Sequence, residues 1–241
     1  MIWCVSFYVE KIHNVAYNSK KKEGGYIMDE KITCRIGNTA LKCKHEEFDF
    51  FIFSLPRGEE ICIEATDICK KICYTKKSDS FKNVRPSREK NYRISKGDEF
   101  VNQVQDFIDK KKKKKITYFR IHEEGDFYNE DYLKKWVEIT DKYRDDKSIK
   151  FVAYTKSINL LDKFCKSNQI RLDQINIKFI YSQMPDTCRY SLELAYEYKL
   201  QKYIVVNSLD EIPDGIEICS MRCNKCMSCY TKNEDNYSLI R

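Results

Sequence analysis

Short β-prone runs alternate with helical patterns along most of the chain, and this alternation constrains the fold more than any single motif. Residues 48–54 (FDFFIFS) are aromatic and β-like. A cysteine-bearing segment follows, then a helical stretch around residues 97–112. Residues 116–122 (ITYFRIH) read as the next strand. Within residues 129–143, Leu133, Trp136, Val137 and Thr140 share one helical face. Residues 151–155 (FVAYT) predict a strand, 160–166 a short helix, 175–182 (INIKFIYS) a strand and 191–199 a helix. Residues 203–207 (YIVVN) are the last clear strand. Repeated β-α steps predict a parallel sheet with helices packed on it. They are too few for an eight-fold barrel, so the expected fold class is α/β, as a partial (βα) barrel or an open sheet. No internal repeat and no Gly/Pro-rich linker divides residues 28–241, which read as one domain. In such folds chemistry gathers at the carboxyl ends of the strands.

Polar and cysteine residues follow each predicted strand. After the first come Cys62, Cys69 and Cys73, spaced C-x6-C-x3-C. After the second comes HEEGDFY, with His122, Gly125 and Asp126. Tyr154, Thr155 and Lys156 follow the third, Tyr181, Ser182 and Gln183 the fourth, and Asn207 and Ser208 the fifth. Near the end of the chain stand Cys219, Cys223, Cys226 and Cys229, spaced C-x3-C-x2-C-x2-C. No secretory leader is evident, so a reducing cytosol is expected, where clustered cysteines read as metal or redox ligands. Successive x2 gaps favour a loop wrapped round an iron–sulfur cube, and zinc is the alternative. Three cysteines in the first group leave a four-iron cluster one ligand short, an open position for substrate or cofactor. Alternatively Cys34 or Cys43 closes a structural site. Cys4, Cys165 and Cys188 are isolated and read as buried small hydrophobes.

His122 has two readings: a polar contact to cofactor or substrate, or a hydrogen-bonded core histidine. Arg120 stands two residues earlier, on the same strand face by alternation. Asp126 reads as a cap for the helix beginning near Asn129, and Gly125 as the source of an unusual backbone angle. The formal net charge is +7, and an unbroken run of six lysines starts at Lys110 and ends at Lys115. That run is a solvated helix end or a phosphate contact for nucleic acid. No window approaches the apolar length of a membrane span. Residues 21–28 (KKEGGYIM) back-translate to a ribosome-binding sequence just ahead of the Met28 codon. Residues 1–27 are therefore read as a mis-assigned or mobile N-terminal extension; the alternative is a genuine strand, since IWCVSFYV is β-prone.

SLPRGEEICIEATDICKKICY, RIHEEGDFYNEDYLKKW, FVAYTKS and the C-terminal cysteines, in that order, resemble the phage-encoded gene product eighty-eight family. More distantly, the layout is similar to radical S-adenosylmethionine (SAM) enzymes, although those space their first cysteines C-x3-C-x2-C. That likeness implies a radical-SAM-like partial barrel. Cys62, Cys69 and Cys73 would hold a 4Fe–4S cluster whose open iron binds SAM. Cys219, Cys223, Cys226 and Cys229 would hold an auxiliary cluster. Arg120, Gly125, Tyr154, Ser182 and Asn207 are then the expected cofactor contacts, and His122 and Asp126 the expected catalytic groups. The function expected is a cytoplasmic phage or mobile-element enzyme modifying a nucleic acid, nucleotide or protein. Two other readings compete: a non-catalytic iron–sulfur or zinc protein that binds a host macromolecule, such as a counter-defence inhibitor, and a basic nucleic-acid-binding module.

Overall fold

The β-prone runs become neighbouring strands of one sheet. The computed structural model describes residues 30–36, 48–113, 115–220 and 223–240. Lys31–Arg241 forms one compact unit. The expected extension over residues 1–27, Met28, Cys4, Cys43 and Lys114 lie outside the described residues. The strands are β1 (Cys34–Ile36), β2 (Phe48–Phe53), β3 (Ile116–Ile121), β4 (Ile149–Thr155), β5 (Lys178–Gln183), β6 (Gln201–Val206) and β7 (Asn236–Leu239). Their order across the sheet is their order in the chain. β1 runs antiparallel to β2, and every later pair is parallel. Among the described residues β1 and β7 are the two edges, so the sheet is open and mixed rather than a closed barrel.

The helices are α1 (Asp67–Ile72), α2 (Val84–Lys96), α3 (Phe100–Lys111), α4 (Glu130–Asp141), α5 (Ile158–Asn168) and α6 (Arg189–Glu197). Two one-turn helices follow late, α7 (Cys223–Cys226) and α8 (Ser228–Thr231), joined by Met227 in a left-handed conformation with φ 55°. Strand alternation sends Phe51, Phe53, Phe119, Ile121, Phe151 and Phe179 to one face. There they pack with Phe100, Val104 and Ile108 of α3, Leu133 and Trp136 of α4, and Leu161 and Phe164 of α5. Burying each such side chain contributes about 1.5–3 kcal/mol relative to leaving it exposed. The intervening residues Phe50, Tyr118, Val152 and Ile180 point the other way, and Met227 and Tyr230 from the cysteine-rich segment cover them. Helices therefore sit on one face and the C-terminal cysteines on the other. A doubly wound sheet would carry helices on both faces.

Three elements depart from the sequence reading. The helical stretch read at residues 97–112 is α3, but the helix before it, α2, went unread; it ends at Gly97, whose N–H donates to Ile94 O. The buried residues of α2 are polar, Arg88, Asn91 and Ser95, so it carries no apolar stripe to read. β1 and β7 also went unread, because three and four residues are too short to show alternation. Among the described residues, no helix is long and apolar enough to cross a membrane.

Candidate functional site

The loop after β2 carries the first three cysteines. Cys62 sits in a turn, its N–H donating to Gly58 O at 2.8 Å. Cys69 lies in the first turn of α1, where its N–H donates to the N-cap hydroxyl of Thr66 at 3.2 Å. Cys73 ends α1, its Sγ 3.0 Å from Thr75 Oγ1. All three thiols are free and partly buried. Burial, then the charges of Asp126, Cys69 and Cys73, push the Cys62 thiol up to about 12. Cys62 thus lies within electrostatic reach of Asp126 and of the other two sulfurs.

The loop after β3 is locked into its neighbours. Asp126 accepts from Thr155 Oγ1 at 2.6 Å, Lys156 N at 2.8 Å and Phe127 N at 2.8 Å. Burial raises its pKa nonetheless. Asp126 is therefore a tie between the ends of β3 and β4. It is not the helix cap: Asn129 caps α4, accepting from Tyr132 N at 2.8 Å. Gly125 has φ 85°, and a Cβ there would stand 2.6 Å from Leu55 Cβ. Glu124 reaches back to accept from Arg57 N at 2.9 Å and pairs with Arg88 at 2.7 Å.

His122 and Arg120 do not share a face. His122 has φ 65°, and that left-handed turn breaks the alternation and swings its ring into the helix-side core. It is 2% exposed, 2.8 Å from Tyr132 Oη by Nε2, and packed edge-on to Phe127 at 4.8 Å. Burial, helped by the Arg120 charge, lowers its pKa to about 3, so the ring is neutral. This is the core-histidine reading, with a buried Nδ1 that has no partner among the described residues.

Arg120 stays on the opposite face. Its guanidinium lies 4.6 Å from the Tyr154 ring centre, and Nε donates to His122 O at 3.3 Å. Tyr154, Tyr203 and Cys229 pack against the same aromatic cluster, and Tyr203 also feels the charge of Cys219. Burial raises the pKa of Cys229, and the charges of Cys219, Cys223 and Cys226 add to that rise, so Cys229 lies within electrostatic reach of the other three. Tyr74, which follows Cys73, and Tyr230, which follows Cys229, both lie within electrostatic reach of Arg120. Arg120 thus stands where the two cysteine-bearing segments approach each other. Ser182 accepts from Lys156 Nζ at 2.8 Å. Asn207 is exposed and turned away into the next turn, its N–H donating to Glu211 Oε1 at 3.1 Å.

Cys34 packs on the helix-side core. Cys165 is buried as expected, whereas Cys188 is exposed, because it ends a loop as the N-cap of α6. The lysine run begins in the last turn of α3, at Lys110 and Lys111, and leads towards the amino end of β3; Lys110 pairs with Asp106 at 3.1 Å and Lys112 with Asp146. Among the described residues no three His, Cys, Asp or Glu side chains converge tightly enough for a single metal ion. Sequence reasoning missed the tyrosines Tyr74, Tyr203 and Tyr230. For two of them a signal was present: each cysteine group ends in Cys-Tyr, at Cys73-Tyr74 and Cys229-Tyr230.

Comparison with known proteins bears on the same loops. The Gene 88 protein of Mycobacterium phage D29 is 32% identical over 112 residues, 42% of this chain and 45% of that protein. The Gene 88 protein of Mycobacterium phage L5 is 29% identical over 142 residues, 55% of this chain and 56% of that protein. The chain spans about half the length of these curated relatives. No solved structure matches it. The family model described as Gene product 88 matches residues 16–187, a span that holds Cys62, Cys69, Cys73 and the loops after β3 and β4 and ends before the C-terminal cysteines. Since that match takes in most of the chain and the strand ends that bear the site, this protein belongs to the Gene product 88 family.

Proposed function

We propose that the protein is a cysteine-ligated iron–sulfur enzyme of the radical SAM type, built on a partial (βα) barrel. One observation carries this reading: three free thiols gather beside Asp126 at the carboxyl end of the first parallel strand. Chain-ordered parallel strands with helices on one face are what a partial barrel requires. The donor set fits a cluster. Buried Cys62 resists ionisation, and a bound cation reverses that cost by taking up the thiolate. The successive x2 gaps of the C-terminal cysteines suit a loop round a cube of irons better than one zinc. Cys62, Cys69 and Cys73 would hold the open cluster, and Cys219, Cys223, Cys226 and Cys229 a closed one. A cluster with an open corner supplies one-electron chemistry to bound SAM. The chain's own part is to position: Asp126 fixes the β3 loop against β4, and Tyr154 packs with Cys229 on the opposite face of the sheet.

The test is anaerobic purification with iron, sulfide and zinc counted per chain. We expect about four irons for each filled cluster, and SAM cleavage on reduction. Cys69→Ala is expected to remove one cluster and leave the other. Zinc without iron would sink the proposal. A second reading, a non-catalytic cluster protein that binds a host macromolecule, is favoured by the C-terminal segment packing Met227 and Tyr230 as cover. Iron without SAM cleavage would select it.

A further inference from the structure

We propose that the recess beside Tyr230, at the amino ends of β4 and β5, binds the phosphodiester backbone of a nucleic-acid strand. Lys150, Lys178, Tyr118 and Tyr230 line it together. The inference goes beyond the iron–sulfur reading, which concerns the cysteines, and it needs no metal.

The recess has a volume of about 460 Å³. Strand register explains how two lysines come to share it. Lys150 stands opposite Tyr118, and Lys178 opposite Val152. Tyr118 and Val152 belong to the face that Tyr230 covers, so both lysines start from that face, on adjacent strands and two residues apart in register. No carboxylate lines the recess. Lys150 is exposed and forms no ion pair among the described residues. The Lys178 ammonium donates to Lys232 O, just beyond α8, and no carboxylate acts on it. One such bond leaves further donors on that ammonium. Lys202, near the start of β6, differs: Asp235 holds it at 2.7 Å.

The cations continue past the recess. Lys113 and Lys115 of the lysine run are exposed, form no ion pair among the described residues, and lead into β3, the strand beside β4. Lysines without counter-charges thus stand at the amino ends of three successive strands, about 4.8 Å from one strand to the next. A row suits a polyanion with repeated charges, whereas a single small anion calls for donors converging on one point. The rings fit the same reading. Tyr118 is 6% exposed and Tyr230 7%, so they wall the recess and offer no open face on which a base could stack. The strand is held by its phosphates, without base readout.

The experiment is fluorescence anisotropy of a labelled single-stranded DNA of about 20 nucleotides, titrated with the full chain at several sodium chloride concentrations. Lys150→Gln with Lys178→Gln should weaken binding about tenfold and reduce the slope of log affinity against log salt by about 1.4, the share of two phosphate contacts. Oligothymidylate and a mixed sequence should bind alike. Lys90→Gln with Lys134→Gln removes the same charge from α2 and α4 and should leave the slope unchanged. Should the recess variant not fold, Lys150→Glu, at an exposed position, carries the test and should reduce the slope by about 0.7 or more. No binding by the full chain, or equal losses in the recess and control variants, overturns the proposal. Displacement of the DNA by micromolar sodium pyrophosphate at equal ionic strength also overturns it, because that marks a small phosphate ligand.

Discussion

Gly125 shows how closely the loop after β3 is specified. Its φ of 85° is costly for any residue with a Cβ, and a Cβ would also meet Leu55 Cβ at 2.6 Å. Gly215 has a similar φ of 80° with nothing within 4 Å. The pair separates backbone strain from crowding. Gly215→Ala is expected to cost about 1 kcal/mol in urea unfolding, and Gly125→Ala about 3 kcal/mol. Equal costs would mean that contact with Leu55 does not matter. At this scale the sequence named most of the residues that meet at the site but misread their directions. Alternation put His122 beside Arg120, and one left-handed residue, invisible to periodicity, sent it to the other face. Asp126 read as a helix cap because its type and place fit, whereas its oxygens serve Thr155 and Lys156. Lys156 was legible as a polar residue after a strand, but its link to Ser182 requires the register of two strands.

Elements owe their positions to polar ties as much as to apolar faces. Helix α5 begins at Ser157, whose side chain makes no cap bond. Glu64, from the loop that carries Cys62, caps it instead: it accepts from Asn159 N at 3.1 Å, Asn159 Nδ2 at 2.7 Å and Leu160 N at 3.0 Å. This ties the first cysteine loop to the helix after β4. Glu64→Ala should cost about 1–2 kcal/mol and speed hydrogen exchange at the Asn159 and Leu160 amides. Unchanged exchange at those two amides would show that the first turn is held some other way. Such ties explain which elements the sequence revealed. Helices α3, α4 and α5 bury apolar stripes and were legible. Helix α2 buries Arg88 against Asp79 and Glu124, and uses Asn91 to bind Thr33 and Ser54, so its buried face reads as surface.

For the molecule as a whole, the question is what a parallel sheet with helices on one face does with its other face. Closing into a full barrel would bury it, and this sheet is open at both edges among the described residues. Phe50, Tyr118, Val152 and Ile180 would then form an exposed apolar patch, of the kind that causes association. The C-terminal segment prevents this. The Tyr230 ring stands 5.4 Å from Phe50 and 5.3 Å from Tyr118, both edge-on, and Met227 packs beside it. β7 then pairs with β6 and anchors the segment beyond its cysteines. The cysteine-rich segment is therefore a cover as well as a candidate ligand set, and the two roles separate by mutation. Tyr230→Ala, which leaves every cysteine in place, should cost about 3 kcal/mol. A chain cut after residue 207 keeps six strands but loses the cover, and should bind an apolar dye and self-associate. Cys226→Ala touches an exposed cysteine and should do neither in metal-free protein. If the cut chain stays monomeric, binds no dye and unfolds at the Tm of the whole, the segment contributes nothing as cover, and its cysteines are left as its reason for lying on the sheet.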